Sequence, residues 1–148
     1  MIQRPEQSPT HDRWGNEIII SKAEIQGRIA ELGREITEYY KDSPRELVII
    51  GMLKGSLYLI ADLTREIDLP LTYDFTSIAT TTTLSRPGVI RISRQIGIEV
   101  NGKDVLIVEE VIRTGLTTNL MVEYLETLNP ATLNICTLLY NPAQTLIP

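Results

Sequence analysis

The chain has 148 residues, about one domain at the usual domain size, which leaves no room for a second independent module. Hydrophobic residues make up 43% and charged residues 22%, an ordinary globular balance that can bury a core and is unlike that of a disordered chain. With 19 acidic against 14 basic residues the net charge is -5, which disfavours general attraction to nucleic acid or an anionic membrane and still allows a local basic pocket.

The single cysteine, Cys136, cannot form an internal disulfide, and its neighbours Leu133, Ile135 and Leu138 predict a buried strand position in a reducing compartment. The longest apolar runs, residues 47–52 and 105–108, are far short of the roughly 18 residues a membrane span needs. The opening residues lack the apolar core of a signal peptide. A soluble cytoplasmic protein is expected. Residues 1–16 are polar, carry two prolines and lack periodicity, so a loose arm is predicted there, ahead of a domain at 17–148. His11, the only histidine, falls in this arm, and no catalytic dyad or zinc site can be built around it.

Residues 17–20 read as a short strand. Ser21, with Glu24 three positions later, matches a capping box and predicts a helix start. Ile25, Ile29, Leu32, Ile36 and Tyr39 then alternate at helical spacing along one buried stripe, which residues 41–44 end. Residues 47–50 are a continuous aliphatic run, the pattern of a strand covered on both faces, with Gly51 expected at a turn. A helix is predicted over 56–67 from Leu57, Ile60, Leu63 and Ile67, stopped by Pro70, and a strand over 71–78. Residues 80–88, with four threonines followed by Ser, Arg, Pro and Gly, read as a mobile loop before a strand at 89–93, and Asn101-Gly102 as a tight turn. A second buried run at 105–108 leads into residues 109–118. A helix follows from Thr117 or Thr118, carrying Leu120, Met121, Tyr124, Leu125 and Leu128, and a strand at 132–139 closes the pattern. Alternating strands and helices predict a doubly wound α/β fold, a mostly parallel sheet flanked by helices.

In open α/β sheets ligands collect outside the carboxyl ends of the strands, which directs attention to residues 51–55 and 109–118. In the second segment a helix begins just after Gly115, so free amides and up to three threonine hydroxyls can surround a phosphate at the positive end of the helix dipole. Glu109 and Glu110, directly before it, can accept hydrogen bonds from sugar hydroxyls or hold a divalent cation. On pattern alone a plain N-cap beside a solvated acidic loop also fits, as does a solvated surface charge for Lys54 and a solvent-facing, ligand-free side chain for Arg113.

The stretch VLIVEEVIRTGLTT resembles the phosphoribosyl-pyrophosphate motif of type I phosphoribosyltransferases. With IIISKAEIQGRIAELGREI, LVIIGMLKGSLYLIADLTREIDLPLTYDF, NGKDVLIVEEVIRTGLT and LNICTLLYNP, the likeness to the hypoxanthine-guanine phosphoribosyltransferase family extends over about residues 17–148. The resemblance implies transfer of phosphoribose from phosphoribosyl pyrophosphate, with Mg2+, onto a purine nitrogen. It assigns Thr114, Gly115, Leu116, Thr117 and Thr118 to the 5′-phosphate. It places Glu109 and Glu110 at the ribose hydroxyls and the metal, Glu110 standing where Asp is usual. Leu53, Lys54 and Gly55 match the pyrophosphate loop, whose Leu-Lys peptide is typically cis in the family.

Departures cluster on the purine side. Arg113 occupies the position of an aspartate that assists proton transfer at the purine; a guanidinium stays protonated and cannot act as a base. Its positive charge disfavours a nearby metal and favours an anion. Thr80-Thr81 replace the Ser-Tyr pair of a closing lid, and Asn141 replaces a lysine that contacts the purine's exocyclic oxygen. The chain stops at Pro148, before the family's purine-covering segment. These features predict a protein that keeps the phosphoribose half of the site, binding phosphoribosyl pyrophosphate or a 5′-nucleotide, and is non-catalytic or weakly active, a ligand- or partner-binding protein. The alternative is an active salvage enzyme making IMP or GMP. A homo-oligomer, or association with another protein, is also implied; nucleic-acid and membrane partners are not expected.

Overall fold

The computed structural model describes residue 11 and residues 14–83 and 86–146. The elements are α1 (Lys22–Tyr40), β1 (Leu47–Met52), α2 (Ser56–Glu66), β2 (Leu71–Thr83), β3 (Arg86–Arg94), β4 (Asp104–Ile112), α3 (Leu116–Glu126) and β5 (Thr132–Tyr140), followed by a single 3-10 turn over Pro142–Gln144. The sheet runs in the order β3-β2-β1-β4-β5. All neighbours are parallel except β3, which pairs antiparallel with β2. This is the expected α/β architecture.

The uninterrupted apolar runs are the two central strands, paired Val48 to Val105 and Ile50 to Ile107, and they need apolar residues at every position because helices cover both faces. Ile49, Leu106 and Val108 pack against Leu32 and Ile36 of α1 and Leu59, Ile60 and Leu63 of α2. Val48, Ile50, Val105 and Ile107 pack against Met121 and Leu125 of α3. Each such side chain contributes about 1.5–3 kcal/mol relative to exposure, which makes the sheet a rigid platform for the loops at its ends. At the opposite end of the sheet the buried Asp104 accepts hydrogen bonds from Arg45 Nε (2.8 Å), Thr132 Oγ1 (2.7 Å) and the Ser43 hydroxyl. Burial pushes this carboxyl up, but the three hydrogen bonds outweigh it and hold it below the usual range.

The capping box is present: Ser21 Oγ accepts from the Glu24 amide and Glu24 Oε2 from the Ser21 amide. Cys136 is buried on β5 as expected, and desolvation pushes its thiol up to about 11. Gly102 takes a positive φ of 69° in the predicted turn.

Several expectations are corrected. Residues 17–20 do not form a strand; among the described residues the only pairing here is an isolated bridge between His11 and Glu17, and Ile19 is 90% exposed. Three isoleucines carry strand propensity, but a strand needs a neighbour for its amides. The rest of the predicted arm lies outside the described residues apart from Trp14, Gly15 and Asn16. Tyr40, not Tyr39, completes the buried stripe of α1, because at 3.6 residues per turn it falls near the middle of the face set by Ile29, Leu32, Gly33 and Ile36 while Tyr39 falls at its edge; Tyr39 is exposed and rests edge-on against the Tyr40 ring. Leu57 is likewise exposed, and Leu59 takes the buried place on α2.

The threonine tract is not a loop. Thr80, Thr81 and Thr83 lie in β2, opposite Ile90, Val89 and Arg86 of β3. β-branched threonines suit an extended, half-paired ribbon. Since β1 pairs with β2 only as far as Met52 and Thr76, residues 77–83 and their β3 partners extend past the carboxyl end of the central strands. The side chains of residues 80–90 lie outside the described ones.

Candidate active site at the strand ends

Gly51 is not a turn residue but part of β1, and a Cβ there would lie 2.2 Å from Ile60 Cδ1 and 2.6 Å from Ser56 Oγ. Glycine is required by this close approach, which lets α2 start tight against the end of β1. Ser56, buried at the first position of α2, donates to the Met52 carbonyl at 2.8 Å and fixes that start. Between them lie Leu53, Lys54 and Gly55. The Leu53–Lys54 peptide is cis, as the resemblance implies, and the Leu53 amide is anchored on the Thr76 carbonyl at 2.9 Å.

β4 runs on through Glu109 and Glu110 to Ile112, so the acids lie on a strand rather than in a loop. Alternation along a strand sends consecutive side chains opposite ways. Glu109 is only 5% exposed and lies beside Thr118 of α3, which is also buried. Glu110 is exposed and turns toward α2, its Oε2 lying 3.6 Å from where a Cβ on Gly55 would be. Both acids line a cleft of about 180 Å³ with Met52, Gly55, Ser56 and Val111. Burial raises the Glu109 carboxyl above the ordinary range, and the Thr118 hydroxyl offsets part of this. Its Oε1 is buried and has no hydrogen-bond partner among the described residues. A buried carboxylate oxygen without a donor is costly, and a ligand hydroxyl or a cation in the cleft would supply what it lacks.

The loop after β4 is short. α3 begins at Leu116, one residue earlier than expected, because Gly115 adopts a left-handed φ of 80° and serves as its N-cap. Gly115 has no side chain to cap this end, and the Leu116 amide makes only a long hydrogen bond to Thr114 Oγ1 (3.5 Å), so the start of α3 can accept an anion. The Thr118 hydroxyl turns inward, so Thr114 and Thr117, both half-buried, are the hydroxyls nearer the loop surface. Arg113 is exposed; its Nε donates to Gln144 Oε1 at 3.4 Å.

A feature not read from the sequence is the turn after β5. The Asn141 amide donates to the Ile112 carbonyl at 3.0 Å, and the Leu146 amide to the Thr114 carbonyl at 3.0 Å. The Thr145 hydroxyl bonds the Tyr140 hydroxyl (3.0 Å) and the Asn141 carbonyl (3.1 Å). Asn141 Oδ1 caps the 3-10 turn by accepting from the Ala143 amide. The Asn-Pro pair was the available signal, being a turn starter. Ser56 and Met52 were also missed as cleft residues; a serine at a helix start signals a cap, not a wall. A larger cavity of about 420 Å³ lies beside α1 and β5, lined by Leu32, Tyr40, Leu106 and Cys136 among others, and includes none of the strand-end loops.

The structure therefore brings Gly55, with Leu53 and Lys54 directly ahead of it in the chain, together with Glu109 and Glu110, and places Arg113 to Thr118 in the short loop after β4 and the first turn of α3. Among the described residues no group of three or more His, Cys, Asp or Glu converges on a metal position. Two carboxylates, one with an unfilled oxygen, suit Mg2+, which takes one or two carboxylates and fills its remaining positions with water and substrate phosphates.

A family model described as phosphoribosyl transferase domain matches residues 19–148. Hypoxanthine phosphoribosyltransferase of Salmonella typhimurium is 44% identical over 129 residues, covering 86% of this chain and 72% of its own. The chain belongs to the hypoxanthine-guanine phosphoribosyltransferase family. The crystal structure of a hypoxanthine-guanine phosphoribosyltransferase from Bacillus anthracis superposes with a TM-score of 0.79 at 31% identity, over 90% of this chain and 76% of that one. Hypoxanthine phosphoribosyltransferase from Trypanosoma cruzi, in complex with the product IMP, gives 0.82 at 29% identity, over 95% and 79%. The cis peptide, the acids near the end of β4 and the left-handed glycine before α3 all lie at the carboxyl ends of β1 and β4. No helix among the described residues is long and apolar enough to cross a membrane.

Proposed function

We propose that the chain binds a 5-phosphoribosyl ligand, phosphoribosyl pyrophosphate or a 5′-nucleotide, at the carboxyl ends of β1 and β4, and transfers phosphoribose to purines weakly or not at all. In this reading Thr114 to Thr118 hold the 5′-phosphate, chiefly through the uncapped amides of α3. Glu109 and Glu110 accept from the ribose hydroxyls, and Leu53 to Gly55 face the pyrophosphate. Mg2+ would sit by Glu109 and Glu110, neutralising charge between them and the pyrophosphate.

The observation that carries the reading is Arg113, standing directly ahead of an otherwise intact phosphate loop. General base help is worth about 10²- to 10⁴-fold, or roughly 3–5 kcal/mol, and a permanently protonated guanidinium supplies none of it. Identity of 44% to a hypoxanthine phosphoribosyltransferase favours a second reading, an active purine-salvage enzyme. The test is purine turnover with Mg2+ and phosphoribosyl pyrophosphate, on the wild type and Arg113→Asp. Expected are little or no IMP or GMP from the wild type and a gain in the variant. Wild-type turnover at an ordinary enzymatic rate, on the order of 10 per second, overturns the proposal.

A further inference from the structure

We infer that Arg113 is a specificity determinant that makes the site prefer a nucleotide whose base carries a negative charge over one whose base is neutral. The inference rests on the phosphoribosyl reading above and names the class of ligand within it.

Four observations support it. The first is position: Arg113 directly follows β4 and precedes the phosphate loop, and β5 ends beside it, Ile112 pairing with Tyr140. A ligand held by that loop and by the acids therefore extends its C1 substituent toward the ends of β4 and β5. The second is charge. Arg45 and Arg94, two arginines near other strand ends, each have an aspartate partner, Asp104 at 2.8 Å and Asp74 at 3.2 Å. Among the described residues Arg113 has no carboxylate within ion-pair distance, and its one side-chain hydrogen bond is a long one to a neutral amide oxygen. The guanidinium retains most of its five donors for a ligand.

Third, the polar side chains around the adjoining end of β5 are neutral and partnered: Asn141 Oδ1 caps the following turn and the Tyr140 hydroxyl bonds Thr145. Arg113 is thus the only cation at this junction among the described residues. Fourth, the backbone carrying it is held: the Leu146 amide ties down the Thr114 carbonyl, and the Asn141 amide the Ile112 carbonyl. A cation on a fixed stem loses less freedom when it engages an anion. The acids lie three and four residues earlier, on β4 itself, and neither pairs with Arg113 among the described residues.

Uridine 5′-phosphate and orotidine 5′-phosphate form a matched pair of probes, since the second differs only by a carboxylate on the base. Calorimetric titration of the wild type, Arg113→Gln and Arg113→Lys with both nucleotides, and with ribose 5-phosphate as reference, tests the inference. The wild type is expected to bind orotidine 5′-phosphate roughly five- to tenfold more tightly, the range for a charge-assisted contact that is partly exposed. That ratio should fall to about one in the glutamine variant, survive in part in the lysine variant, and shrink with added salt. Binding of all three ligands with a ratio near one in the wild type, or an unchanged ratio in Arg113→Gln, overturns the inference and leaves the phosphoribosyl reading standing. Failure of the wild type to bind any of the three overturns that reading, and this one with it.

Discussion

Glu109 is a buried carboxylate with one oxygen unfilled, so replacing it should move stability and binding in opposite directions. Glu109→Gln keeps the shape and removes the charge. In the ligand-free protein, leaving a buried polar atom unpaired costs about 1–3 kcal/mol, more if it is charged, and glutamine retains part of that cost, so a gain of about 1 kcal/mol is expected near neutral pH. The pH dependence follows from the raised carboxyl: its contribution is fully present below the unfolded-state pKa and is lost as pH rises through the folded-state value. The variant's advantage should therefore be largest at pH 8 and disappear in mild acid. Binding behaves the other way. Hydrogen bonds to a charged acceptor are worth about 1 kcal/mol more than bonds to a neutral one, so losing one or two weakens a ribose ligand roughly 5- to 30-fold. Urea denaturation at pH 5 and pH 8, with titration of ribose 5-phosphate at pH 8, measures both. A variant less stable than wild type at pH 8, or one that binds ribose 5-phosphate equally well, would refute the assignment of Glu109 as a strained acceptor awaiting a ligand.

Gly51→Ala should destabilise the fold by about 1–3 kcal/mol in chemical denaturation, because its Cβ would overlap Ile60 and Ser56; it should also weaken ribose 5-phosphate binding by displacing the start of α2 from the cleft. Asp104→Ala should cost about 2–3 kcal/mol, below the value for a fully buried ion pair since Arg45 is half-exposed. The Asp104 carboxyl is held low, so its contribution is present above the unfolded-state pKa and lost as pH falls through the folded-state one. The alanine variant should accordingly lose less stability than the wild type between pH 5 and pH 2, followed by thermal melting.

Much of this was legible in the residues themselves. The capping box at Ser21 and Glu24 is local chemistry between atoms three residues apart, and the runs over β1 and β4 report burial on both faces. The turn into α3 was legible because Gly115 stands just ahead of the helix, where the structure gives it a left-handed φ of 80°. Other readings failed because several conformations suit the same residues. Four threonines fit an exposed loop as well as a paired ribbon, and only β3 alongside decided between them. Residues 17–20 have strand propensity but only an isolated bridge at Glu17. Gly51 looks like a turn glycine until α2 is packed against it.

The sequence by itself therefore determined the alternating α/β order, the family, and which loops follow the carboxyl ends of the central strands, because each depends on short-range patterning or on residues whose chemistry is needed where they stand. The tertiary structure alone decided that Glu109 is buried beside Thr118 while its neighbour Glu110 turns toward Gly55. It also decided that a turn from beyond β5 clasps the loop carrying Arg113. Burial, pKa and contacts between segments some 30 residues apart depend on which surfaces meet, and no local pattern carries that information.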